Sequence, residues 1–85
     1  MKTREVVITN SSGLHARPAG ALVKEARMYQ STITLSAGGK SAEAAKLMAL
    51  MGMCIKTGTA VTVTVEGADE VACAAAIRTF MENNL

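Results

Sequence analysis

Ser12-Gly13-Leu14-His15-Ala16-Arg17-Pro18-Ala19 is the stretch whose residue types could do chemistry, and it holds the only histidine and the only proline of the chain. A neutral imidazole has an unprotonated ring nitrogen that can act as a nucleophile. Histidine's unperturbed pKa of ~6.5 keeps much of it neutral at cellular pH. Proline is tolerated in the first turn of a helix, where its missing N–H would be unpaired in any case. The residue before a proline is biased toward extended geometry, which sets Arg17 at a helix entrance. Gly13 is free to take positive φ, so His15 is expected in a tight loop one or two residues ahead of a helix N-terminus. Such a terminus offers unpaired N–H groups and the positive end of the helix dipole, and both attract an anion. A phosphoryl group accepted on His15 would lie against the amides of Ala16 and Arg17. The Arg17 guanidinium would be its counter-ion, and Ser12 a hydrogen-bonding residue of the loop. The chemistry implied is a transient phosphohistidine. The alternative is a solvated loop histidine beside a solvated charge, because short motifs recur by chance.

Gly13-Leu14-His15-Ala16-Arg17-Pro18-Ala19 resembles the phosphorylation-site motif of the HPr family, the histidine-containing phosphocarriers of the bacterial phosphoenolpyruvate-dependent sugar phosphotransferase system. The likeness runs over essentially the whole chain. Its length matches, the motif stands at the family's place, and Gly39-Lys40-Ser41-Ala42 and Gly67-Ala68-Asp69-Glu70 look like the family's later landmarks. The resemblance implies that His15 takes a phosphoryl group from enzyme I, itself charged by phosphoenolpyruvate, and passes it to a IIA domain of a sugar permease. In the family the imidazole Nδ1 does this. It implies a carrier that is a substrate of its partners more than an enzyme, acting as a monomer with no metal or organic cofactor.

The resemblance also implies a docking surface. Basic residues near the first helix, here Lys24 and Arg27, would meet acidic partners. Apolar residues of the second helix, here Leu47, Met48 and Met51, would meet enzyme I and the IIA domains, with the start of that helix beside the active-site loop. Lys46 is a departure. Many family members of the low-GC Gram-positive group carry there a serine that a dedicated kinase phosphorylates, and lysine cannot accept that modification. Lysine would instead add positive charge to the docking face and speed association with an acidic partner.

Composition bounds the remaining possibilities. Eighty-five residues suit a single domain, 1–85, with a modest core. With 49% hydrophobic and 19% charged residues the chain reads as globular. A net charge of +2 is weak ground for a polyanionic partner, and Tyr29 and Phe80 are the only aromatics, too few for a base-stacking platform. No nucleic acid is therefore expected. The charged start Met1-Lys2-Thr3-Arg4-Glu5 and the short Val6-Val7-Ile8 do not make a signal peptide, and no apolar run approaches a membrane span, so a cytoplasmic location is expected. Cys54 and Cys73 lie in apolar helical runs and are expected to be buried free thiols.

The positioning elements follow from periodicity. Glu5–Thr9 is a β-branched strand, and 10–13 is a loop. A helix from Ala16 or Arg17 to Met28 buries Ala19, Leu22, Val23, Ala26 and Tyr29, with Lys24, Glu25 and Arg27 outside. Thr32–Ser36 alternates as a strand, Gly38-Gly39 is a hairpin turn, and Lys40–Glu43 is a short edge strand. A second helix, roughly Lys46 to Met53, is apolar almost all round. Leu47, Leu50 and Cys54 make one stripe, Met48, Met51 and Ile55 another. Either both pack inward or one is exposed as a partner site. Thr59–Glu66 alternates cleanly with Val61, Val63 and Val65 inward. Gly67-Ala68 turns the chain, and Asp69 or its neighbour caps a last helix that buries Cys73, Ile77, Phe80 and Met81.

The order βαββαβα, with one solvated sheet face, predicts an α+β open-faced sandwich, and the resemblance implies its HPr-like form, a four-stranded antiparallel sheet with three helices on one face. Pattern alone also permits a ferredoxin-like domain with an added helix, which would bind a small molecule in an apolar pocket. Three further functional readings stand beside the sugar-branch carrier: a carrier of a nitrogen-linked or other phosphorelay, a regulatory binding protein, and that small-molecule module.

Overall fold

A computed structural model describes residues 1–9 and 16–84. The elements run β1 (Lys2–Val7), α1 (Ala16–Ala26), β2 (Thr32–Ala37), β3 (Lys40–Glu43), α2 (Leu47–Gly52), β4 (Ala60–Glu66) and α3 (Glu70–Asn84). The four strands form one antiparallel sheet in the order β1-β4-β2-β3. β3 is an edge strand, as its weak propensity predicts, and β1 is the other edge.

Strand periodicity decides which face is covered. Val61, Val63 and Val65 of β4 are buried with Ile33 and Leu35 of β2 and Val6 of β1. The register sets Val6 opposite Val61, and Val63 and Val65 opposite Leu35 and Ile33, so these side chains form one apolar layer. Onto it α1 lays Ala19, Leu22, Val23 and Ala26, and α3 lays Cys73, Ala74, Ile77 and Met81. Thr34, Ser36, Thr62 and Thr64 on the opposite face are only half-buried. This is the expected open-faced sandwich. The hairpin turn also matches: Gly38 and Gly39 have φ of 56° and 81°, the paired positive values that a tight two-residue turn demands.

Four expectations are corrected. β1 begins at Lys2, not Glu5, because β4 is long enough to pair Lys2 with Val65 and extends the ladder over polar residues. α2 ends at Gly52, so stripes continued to Cys54 and Ile55 do not exist as helix faces. The inward residues there are Leu50, Met53 and Ile55. Cys54 takes a left-handed φ of 53° just past the helix and is exposed, not buried; Cys73 is the buried thiol. Tyr29 and Phe80 pack against the core only part-buried.

Asp69 stands at the cap position of α3, since its carbonyl accepts the Cys73 N–H at 2.9 Å. Its carboxylate, however, reaches across to the loop after α1. It accepts the Gln30 and Ser31 backbone N–H groups, each at 3.0 Å, and the Ser31 hydroxyl. Gly67 closes this junction. Its φ is 153°, and a Cβ there would lie 2.6 Å from Ser31 Cα, so only glycine lets the two segments meet.

Candidate functional site

The chain enters the stretch 10–15 from a pinned strand end. The Ile8 carbonyl accepts the Gly58 N–H at 2.7 Å and the Thr57 hydroxyl at 3.4 Å, and the Ile8 N–H donates to Thr59 at 3.0 Å. It leaves that stretch directly into α1 at Ala16. Ser12, Gly13, Leu14 and His15 lie outside the described residues, so the loop, and the predicted contacts of Ser12 and His15, have no described geometry.

The helix that receives the loop does. Pro18 and Ala19 are buried and seat the first turn on the core, while Arg17 is exposed. No acidic side chain stands in that turn, so nothing carboxylate-bearing within it opposes the positive end of the helix. Pro18 removes one N–H, leaving the amides of Ala16, Arg17 and Ala19 as first-turn donors. The first turn of α1 thus has the donors and the free positive dipole end that suit an anion.

Arg17, Ala21 and Lys24 of α1 and Arg27 just past its end are exposed, and Gly20 is half-exposed. Their spacing of three and four residues makes one solvent-facing stripe, basic with small residues between. Lys24 lies in the last turn of α1, where a cation suits the negative helix end. Arg27 is tied down: its Nε and Nη2 donate to the Ala45 carbonyl at 3.3 and 3.1 Å. That clamp joins the end of α1 to the residue before Lys46, a role the sequence offered no local signal for. The partners are 18 residues apart.

Lys46 is the N-cap residue of α2, with extended φ and ψ of −117° and 102° and no side-chain cap bond. Its ammonium pairs with Glu43 at 2.8 Å, and that hydrogen bond and charge raise its pKa. Its positive charge is thus met locally by a carboxylate, which reduces what it offers to a partner. The i, i+3 spacing of Glu43 and Lys46 is visible in the sequence, but it joins the end of β3 to the N-cap of α2, where spacing alone does not predict a pair.

α2 presents the apolar part. Leu50 is fully buried, Leu47 is 39% exposed and Met48 is 82% exposed. Met51 is part-buried against the core. Of the two possibilities for this helix, exposure of one apolar face is the one realised. Arg17, Lys24 and Arg27 thus share a stripe, and the Arg27–Ala45 clamp brings its far end to Lys46, Leu47 and Met48. Among the described residues no cluster of His, Cys, Asp and Glu is placed to hold a metal ion, and no helix is long and apolar enough to cross a membrane.

The family model described as the PTS HPr component phosphorylation site matches residues 2–83. The chain is 44% identical over 70 residues to phosphocarrier protein HPr of Haemophilus influenzae, covering 82% of each. It is 43% identical over 75 residues to phosphocarrier protein HPr of Mycoplasma capricolum, covering 88% of this chain and 84% of that one. Among solved structures, the histidine-containing phosphocarrier protein of a Mycoplasma superposes with a TM-score of 0.92 at 39% identity, over 96% of this chain and 93% of its own.

Proposed function

The chain belongs to the HPr family of phosphotransferase-system phosphocarriers, and on that premise we propose that His15 is the residue that carries the phosphoryl group. The observation that carries this reading is the position of the chain's single histidine. It immediately precedes a helix whose first turn holds Arg17 and no acid, inside the segment that the family's phosphorylation-site model spans.

The transfer runs as follows. An imidazole nitrogen of His15 attacks the phosphorus of phosphorylated enzyme I; the new N–P bond forms as the donor's bond to phosphorus breaks. The transition state spreads charge over the phosphoryl oxygens, so positioning and charge stabilisation are what the carrier must supply. The amides of Ala16 and Arg17 and the Arg17 guanidinium supply them, with Ser12 ordering the loop. The second transfer, to a IIA domain, reverses the roles, and His15 leaves as the neutral imidazole. Arg17, Lys24 and Arg27 with Leu47, Met48 and Met51 form the docking face, basic along one helix and apolar on the next; Lys46 sits at its border. The carrier acts as a cytoplasmic monomer.

The test is intact mass after incubation with phosphoenolpyruvate and enzyme I, before and after brief acid treatment. One added phosphate, removed by acid and absent from His15→Ala, is the expected result. An acid-stable phosphate would place the acceptor on a hydroxyl and overturn the assignment. Competition between sugar-branch and nitrogen-branch enzyme I as donors separates the two carrier roles.

A further inference from the structure

We propose that Met48 is a peroxide-sensitive modification site, and that its oxidation to the sulfoxide weakens partner docking and so slows phosphoryl traffic through this carrier. The proposal rests on the docking reading of α2 given above and adds a regulation to that face.

Six methionines are present, and the fold sorts them. Met53 and Met81 are 7% and 0% exposed and shielded from solutes. Met51 is part-buried against the core. Met1, Met28 and Met48 are 70%, 72% and 82% exposed. Of these three, only Met48 lies in α2, next to Leu47 and one turn from Met51, so it alone contributes its thioether to the apolar face. Met28 follows the end of α1 and Met1 precedes β1. Oxidant reaching the surface therefore meets three exposed thioethers and the exposed Cys54 thiol, and of these Met48 is the one in the proposed docking face, where its neighbour Met51 is part-buried.

The chemistry is a two-electron oxygen transfer. The Met48 sulfur lone pair attacks the terminal oxygen of hydrogen peroxide, the O–O bond breaks, and the products are the sulfoxide and water. A flexible apolar side chain becomes a polar one with a strong acceptor oxygen. In the free carrier that oxygen is hydrated at no cost, because the side chain is exposed. In a docked complex it must lose water against an apolar partner surface, so the penalty falls on association. A sulfoxide at Met1 or Met28 carries no such penalty.

The experiment oxidises the whole protein with hydrogen peroxide, restores thiols with dithiothreitol to remove any effect of exposed Cys54, and maps sulfoxides by peptide mass. Steady-state transfer from enzyme I is then measured against carrier concentration. The expected result is a rise in KM of about tenfold with kcat little changed, the size of losing one buried apolar side chain. Methionine sulfoxide reductase is expected to restore the original KM. In Met48→Leu the ratio of KM after and before oxidation is expected to fall to near one, whatever the starting value. An unchanged KM with Met48 fully converted would overturn the proposal, as would an equal rise in Met48→Leu. Failure of the untreated protein to accept phosphate from enzyme I would instead sink the carrier assignment.

Discussion

At the scale of single residues, Arg17 and the two cysteines carry the clearest consequences. Arg17→Ala is expected to lower kcat/KM for transfer from enzyme I by roughly tenfold to a hundredfold, the worth of a charge-assisted hydrogen bond. Lysine is expected to restore only part, because it lacks the planar fork. Rapid-quench measurement of the phosphorylated carrier checks both. The cysteines separate by burial. Cys54, exposed past α2, is expected to react quickly with a thiol reagent, while Cys73 reacts only on unfolding. Burial first, then the negative charges of Asp69 and Glu25, push the Cys73 thiol up to about 11. A thiol ionises near 8.5 in the unfolded chain. Stability from this group is therefore full below pH ~8.5 and falls as pH rises toward the native value, by roughly 3 kcal/mol in all. Denaturant titrations at pH 8 to 10 should show that fall, and Cys73→Ala should flatten it, with its own loss of stability greatest at pH 8 and narrowing toward pH 10.

At the scale of elements, the junction between the loop after α1 and the start of α3 is the part to perturb. Gly67→Ala drives a methyl group into Ser31, against backbone that cannot move without breaking the Asp69 bonds. The expected loss is about 1–3 kcal/mol, or roughly 4–8 °C in Tm for each kcal/mol, read by thermal circular dichroism. Hydrogen bonds from Ser31 and then Gln30 hold the Asp69 carboxyl below its usual range. Its stabilisation is present above the ordinary carboxylate pKa and is lost as pH falls through the lower native one. Asp69→Asn should accordingly flatten the acid limb of the stability profile, and an unaltered limb would show that the carboxylate is not the anchor. Asp69 was legible as a helix start, because acidic residues favour that position. That its side chain serves a loop 38 residues away was not, because nothing local encodes the approach of two distant segments.

At the scale of the molecule, charge matters through its distribution. The net charge is only +2, yet α1 and the turn that follows it gather Arg17, Lys24 and Arg27 on one stripe, while Glu43 answers Lys46. Lys24→Glu is expected to slow association with an acidic enzyme I several-fold at low salt, and Lys46→Glu to slow it less. The gap should close as ionic strength rises toward ~1 M, where screening acts within about 3 Å. Stopped-flow association at several salt concentrations checks this, and an equal effect of the two changes would show that the Glu43 pair does not persist in solution.

The strands, helices and order of the chain were legible because each obeys a local rule. Val61, Val63 and Val65 alternate, Ala19, Leu22, Val23 and Ala26 recur at helical spacing, and Gly38-Gly39 turns a hairpin. The seven-residue motif around His15 carried the resemblance to the HPr family, and the family model over residues 2–83 bears that resemblance out. What the tertiary structure decided were matters of length and of who meets whom. α2 stops at Gly52, which exposed Cys54 and divided the apolar residues into buried Leu50 and exposed Met48. β1 was extended to Lys2 by its partner. Arg27 was drawn to Ala45 and Lys46 to Glu43. Local periodicity reports which residues could face a core. Where a helix ends and which charge finds a partner depend on packing and desolvation between segments far apart in the chain, and only the folded molecule brings those together.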